Sequence, residues 1–237
     1  MTTERSTQIS PRLVARMAGL FSLLTILGGL FAQGYVSNQF TTLRDAAVTA
    51  TNMLAHKGLF QLGLTVFLIE MACNVAMTAL YYVMLRPVSQ SLAVVATFWN
   101  LTACIMKTFA RVFFIAPVYV LGNSSVLSAF TTEQLQQIAL VLLRINNLGA
   151  ACACGFFGLS IVVQGYLIYR STFLPRWLGV VAVVTGAGWL AFLSPPLGSS
   201  LFVPIAVLAL AGAAVTIFWL LVFGLDEQKW FEQASKA

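Results

Sequence analysis

Charge is scarce in this sequence. Asp, Glu, Lys and Arg together make up 8% of its 237 residues, whereas hydrophobic residues make up 59%. A soluble domain carries about 25% charged residues, so folding this chain in water would leave too little polar surface to cover it. The soluble classes are excluded, and an integral membrane protein is indicated. Histidine is nearly absent. With His56 alone, a haem held by two histidines of one chain is impossible. The four cysteines, Cys73, Cys104, Cys152 and Cys154, all fall in apolar stretches, which suits buried free thiols better than a disulfide framework or a zinc site. No metal site is expected and no cofactor is named by any motif. A phosphate-binding loop, metal ligands paired at helical spacing and a nucleophile beside a base are all missing. The net charge of +6 does not signal nucleic acid, because its basic residues stand mostly at the ends of apolar runs, where they set orientation and meet anionic head groups.

What the sequence does have is long apolar runs. They predict an all-α polytopic bundle occupying residues 1–237, with spans near 13–35, 59–85, 91–121, 147–170, 177–193 and 201–223. The first run is longer than the ~7–15 residues of a signal h-region, so it reads as an uncleaved anchor. Six spans place both termini on one side. Arg5, Arg12, Arg16, Arg86, Arg170, Arg176, Lys229 and Lys236 lie at the ends on that side, against Arg44 and Lys57 in the opposite loops. That imbalance predicts cytoplasmic termini and, in a bacterial cell, a place in the inner membrane.

Between spans one and two, Thr42-x-x-Asp45 reads as an N-cap with its acidic N3 partner. Leu43, Ala46, Ala47, Ala50, Met53 and Leu54 then form an apolar stripe, predicting a short amphipathic helix over 42–55 at the outer surface. Thr131-x-x-Gln134 resembles a capping box opening a helical pattern that runs to Arg170. That pattern is longer than a bilayer needs, which puts its outer turns, with Arg144, Asn146 and Asn147, at the interface or leaning over the bundle. Gly28 and Gly29, and the small residues of Gly149 to Gly158, suit close helix contact. Ser194 to Gly198 reads as an outer turn.

The chemistry gathers in the third run. Asn100, Cys104, Lys107 and Arg111 fall on one helical face, at i, i+4, i+7 and i+11. A cation near the bilayer centre costs ~2.5–3.5 kcal/mol on insertion scales, so such a face turns to a partner, cavity or ligand. Glu70 is the only acidic residue inside the spans, and it shares a face of span two with Asn74, Thr78 and Tyr81. Counting in from the span ends puts Glu70 level with Arg111, with Lys107 one turn deeper, so Glu70 and Arg111 are the expected pair.

Several phrases together carry a resemblance. They are Asn52-Met53-Leu54-Ala55-His56 before Leu59-Phe60, Leu85-Arg86-Pro87-Val88, and Ser128-Ala129-Phe130 before Glu133-Gln134-Leu135. The most specific is Gly165-Tyr166-Leu167-Ile168-Tyr169-Arg170-Ser171, followed by Leu174-Pro175-Arg176 and Leu178-Gly179. From about Arg12 to span six, the chain resembles a bacterial family of multi-span membrane proteins catalogued as domain of unknown function 4386. The resemblance implies a helical membrane bundle and no established activity. Members of that family often carry histidine where this chain has Asn147 and Ser160, so any metal or cofactor role of those histidines is not expected here.

Three functions fit these residues. One is a bundle that binds or moves an anionic or amphiphilic small molecule in a charged pocket, with Glu70, Asn74, Asn100, Lys107, Arg111, Arg144 and Asn147 as candidate ligand-binding residues. The excess of cations over the single carboxylate favours it. A second is an accessory subunit whose charges only fix helix register. The third is an intramembrane enzyme with Glu70 as acid or base. The partners implied are the bilayer, an anionic lipid or small molecule, and other membrane subunits or further copies of the chain.

Overall fold

The computed structural model describes residues 10–37, 45–122 and 128–236. Among the described residues there is no strand, and six helices are long and apolar enough to cross a membrane. The first span is α1, Pro11–Gly29, continued without a break as a π-helix over Leu30–Ser37. Its start follows from local chemistry: the Ser10 side chain caps the Leu13 amide, and Pro11 sits where no amide donor is needed.

Helix α2 spans Ala46–Ala55. Thr42 and Leu43 lie outside the described residues. Asp45 is the N-cap rather than the N3 residue, its Oδ1 accepting from the Ala47 and Val48 amides at 2.9 and 3.1 Å. The buried face is Ala46, Thr49, Ala50 and Met53, while Ala47 and Leu54 turn outward. The helix therefore lies on the bundle and is not confined to the membrane surface.

The remaining spans are α3, Lys57–Leu85; α4, Gln90–Gly122; α5, Thr132–Arg170; α6, Arg176–Leu190 with a 3-10 turn Ala191–Leu193; and α8, Phe202–Val222. The proposed capping box is present at the start of α5, with the Thr131 and Gln134 side chains each serving the other's amide. Ser194 to Gly198 is not a simple turn. Pro195 and Pro196 open a short helix, α7, Pro195–Ser200, because two prolines at the first positions lack only amides that a helix start leaves unbonded. The polar tail also folds, as α9, Glu227–Ala234, capped by Asp226.

The spans follow one another round a ring, each against the next, and α8 closes it on α1. Glycine sets the closest crossings. Gly158 and Gly165 on α5 face Gly186 and Gly179 on α6, seven residues apart on each helix. A methyl group on Gly179 would lie 2.5 Å from the Tyr169 amide nitrogen, and one on Gly165 2.7 Å from that of Val183. Backbones this near leave no room for a side chain.

The end of the bundle bearing both chain termini is drawn together by hydrogen bonds. Trp230 Nε1 donates to the Met84 carbonyl at 2.9 Å, the Thr172 amide to Gln233 Oε1 at 3.0 Å, and the Asp226 amide to the Phe173 carbonyl at 3.2 Å. Ser10 Oγ and the Arg12 amide both donate to Glu227 Oε1. These donors hold the Glu227 carboxyl below the usual carboxylate range, the Ser10 hydroxyl contributing most. At this end Val14, Met84, Leu85, Leu167, Leu178 and Leu220 form one apolar core. At the other end Val36, Met53, Phe60, Phe67, Phe114 and Leu143 form a second. Polar side chains fill the level between them.

Candidate functional site

Three polar groups are stacked along the interior, and the spacing of α3 and α4 generates them. Nearest the terminal end, Asn74 and Thr78, one turn apart on α3, meet Asn100 and Cys104, one turn apart on α4. Asn100 Nδ2 donates to Asn74 Oδ1 at 2.8 Å and also to Thr78 Oγ1, while Cys104 Sγ lies 3.3 Å from Asn74 Oδ1. All four are buried. Thr78 in turn donates to the Asn74 carbonyl at 2.7 Å. This cluster uses most of its own donors and acceptors internally.

One turn further, Lys107 Nζ stands 2.5 Å from Glu70 Oε1. The Glu70 side chain is 4% exposed and that of Lys107 13%. The expected Glu70–Arg111 pair is thus replaced by Glu70–Lys107. Measured from Lys57 and Gly122, the ends the helices have, Lys107 and Arg111 are offset equally from Glu70, one on either side. Span counting had no power to choose between them. The glycines of α1 complete the setting: a methyl on Gly28 would lie 3.2 Å from Glu70 Cβ and one on Gly29 3.4 Å from Oε1. Immediately after Gly29 the chain becomes a π-helix, a local widening that recurs at functional sites.

The third group belongs to Arg111, which is 3% exposed. Its Nη1 donates to Asn146 Oδ1 at 2.9 Å, and its guanidinium carbon lies 3.7 Å from the centre of the Phe67 ring. Nε and Nη2 are buried with no hydrogen-bond partner, as is Glu70 Oε2. A cation stacked on an aromatic face recovers part of its desolvation cost, but two bare N–H groups remain expensive. Asn146 Nδ2 then donates to Asn147 Oδ1 at 2.9 Å.

The structure therefore brings Glu70 and Lys107 together, Asn74 and Asn100 together, and links Arg111 to Asn147 through a residue outside the candidate set, Asn146. Arg144 stays outside the buried groups, exposed on α5 one turn from Asn147. Ser160, the other position where the family resemblance implies histidine, donates to the Ala96 carbonyl at 2.7 Å and accepts from Gln164 at 3.0 Å. Asn146 was legible by phase. It falls in register with Ala139, Leu143, Ala150 and Ala153, the buried stripe of α5. Phe67 carries no comparable signal, since every turn of α3 offers an apolar residue.

A ring of six apolar helices with ionisable groups sealed between them defines a multi-pass integral membrane protein in a lipid bilayer. The chain belongs to the family described as Domain of unknown function (DUF4386), whose model matches residues 17–224. It is also 31% identical over 70 residues to an uncharacterised protein of Archaeoglobus fulgidus, a match covering 29% of this chain and 42% of that protein. The chain thus spans less than half the length of this relative. No solved structure matches.

Proposed function

We propose that this protein binds an anionic or amphiphilic small molecule inside the membrane, at Arg111. One observation carries the reading: the only buried carboxylate among the described residues is held by Lys107, and Arg111 keeps two buried N–H groups without an acceptor. Burying a cation in this way is costly unless an anion or hydrogen-bond acceptor meets it. The positive excess at the site gives an anion the advantage over a neutral ligand. Both termini face the cytoplasm in this reading, on the strength of the basic residues gathered at that end.

The Asn74–Asn100–Thr78 cluster favours a second reading, in which the polar groups serve helix register and the protein is a subunit of a larger membrane complex. The buried bonds from Asn100 to Asn74 and Thr78 tie α4 to α3, which suits that role. Glu70 as an acid or base draws less support, because Lys107 holds it and the glycines of α1 cover it.

The test is retention. Wild-type protein and Arg111→Met are purified in mild detergent and their organic extracts compared for anionic species bound near stoichiometrically. Binding at Arg111 predicts such a species in the wild type and its loss in the variant. Equal extracts from two equally folded proteins refute the reading.

A further inference from the structure

Arginine has five N–H donors and no acceptor. That fact fixes the orientation of two neighbouring amides that would otherwise be ambiguous. Asn146 must present Oδ1 to Arg111, so its Nδ2 points to Asn147, which in turn must accept through Oδ1. Asn147 is exposed. Its Nδ2 is then the outward end of a chain, Arg111 to Asn146 to Asn147, in which each group donates to the next. Such a chain is polarised by the buried charge behind it, and its exposed end is an N–H donor.

The end lies at a defined level. At ~1.5 Å per residue, Asn147 stands roughly 35 Å along α5 from Arg170, slightly more than a ~30 Å hydrocarbon core. With Arg170 at one interface, Asn147 reaches head-group level at the other. Its surroundings on α5 are mixed. Arg144, also exposed, is one turn away, while Val141, Ile145 and Leu148 present apolar side chains to the outside. A donor amide and a cation at head-group level suit a lipid phosphate, and Leu148, on the Arg170 side of Asn147, leads into the hydrocarbon.

We infer that Asn147 is the head-group contact of a phosphate-bearing lipid, whose phosphate oxygen accepts from Asn147 Nδ2 and whose chains run from exposed Leu148 along α5 toward Arg170, into the hydrocarbon. The inference adds a second contact, reached through Arg111 Nη1 and leaving its Nε and Nη2 to the pocket proposed above, and rests on that reading only for the sign of the ligand's charge. It names the ligand class, a phospholipid of the leaflet opposite the terminal end, and makes Asn146 the residue that connects the bound head group to Arg111.

The decisive variant is Asn147→Asp. An aspartate oxygen still accepts from Asn146 Nδ2, so the internal bonds survive while the outward donor is lost. Asn147→Leu is the uncharged companion, separating loss of the donor from repulsion by a carboxylate. Delipidated protein in detergent is titrated with a short-chain phosphatidylglycerol, with the matching diacylglycerol, or with inorganic phosphate, and bound species are counted by native mass spectrometry. The expected result is saturable binding of phosphatidylglycerol to the wild type, weakened about tenfold in both variants, as fits loss of a charge-assisted hydrogen bond. Diacylglycerol should bind no better to the wild type than to either variant. Binding of inorganic phosphate as tightly as the lipid would overturn the lipid assignment in favour of a water-borne anion. Undiminished lipid binding in Asn147→Asp and Asn147→Leu, with loss in Arg111→Met, would overturn the head-group site and leave the Arg111 pocket standing. Undiminished binding in all three would overturn both.

Discussion

Replacing Glu70 by Met removes the only buried carboxylate among the described residues and strands Lys107. Breaking a buried ion pair costs about 3–5 kcal/mol. Lys107, with 13% of its side chain exposed, can recover some of this by reaching toward head groups, so we expect about 3 kcal/mol. The converse change, Lys107→Met, strands a carboxylate that is 4% exposed. Arg111, one turn along the same face with two N–H groups to spare, can turn to meet it, and the expected cost falls to about 1–2 kcal/mol. Removing both partners leaves no stranded charge on either side and should return stability to within about 1 kcal/mol of wild type. Thermal unfolding in detergent is the assay. At roughly 2–4 °C per kcal/mol for a chain of this size, Glu70→Met should melt on the order of 10 °C lower, Lys107→Met less, and the double variant near wild type. Adding Arg111→Met to Lys107→Met should cost more than adding it to wild type, because the substitute partner then disappears. A double variant as unstable as the two singles combined would refute the pairing. Lys107→Met as harmful as Glu70→Met would refute the rescue by Arg111.

Three further outcomes follow from other parts of the fold. Gly179→Val, whose Cβ alone would lie 2.5 Å from the Tyr169 amide nitrogen, should prise α6 from α5 and abolish a monodisperse purified species, whereas Gly34→Val, with open space around it, should be silent in the same chromatogram. The Glu227 carboxyl is held below its ordinary value of 4.5 by Ser10 and Arg12; its contribution is full above that value and is lost as pH falls through the lower folded pKa. Hydrogen exchange of 10–13 and 227–234, corrected for intrinsic rate, should therefore rise in wild type only as pH falls below 4.5 and show no such step in Glu227→Gln. In a cysteine-free background, cysteine at Gln233 should react with a membrane-impermeant thiol reagent only after the cytoplasmic side is opened, and cysteine at Ser199 from outside; the reverse pattern would invert the topology.

The spans and most of their ends could be read directly because hydropathy and capping are local properties. Thr131 with Gln134 is an example, since both halves of its bond lie within four residues. The Asp45 cap shows the limit of that method. Thr42-x-x-Asp45 suits a capping box, yet Asp45 is itself a good N-cap, and nothing within the segment decides which of the two closes the helix. The charged interior was visible as residues and misjudged as a pair. Glu70 sits midway in depth between Lys107 and Arg111, so the choice between them depends on how far α3 and α4 slide past each other, which packing alone determines. The π-helical end of α1 left no trace in composition. The Gly28–Gly29 face lying on Glu70 could be anticipated only as generic close contact.

The closure of the ring by α8 on α1 bears on how the protein is made. A methyl on Gly19 would lie 3.0 Å from Leu220 Cβ, so α1 has one wall supplied by a span made much later. Until α8 is inserted, the Gly19 side of α1 has only lipid beside it, and the Glu227 carboxylate that holds the Ser10 hydroxyl and the Arg12 amide has yet to be translated. Closure of the bundle therefore waits for residues 202–222, however early the α3–α4 hairpin forms. A ribosome stalled before residue 202 should yield a membrane-inserted chain whose first helix is still open to crosslinking from the bilayer.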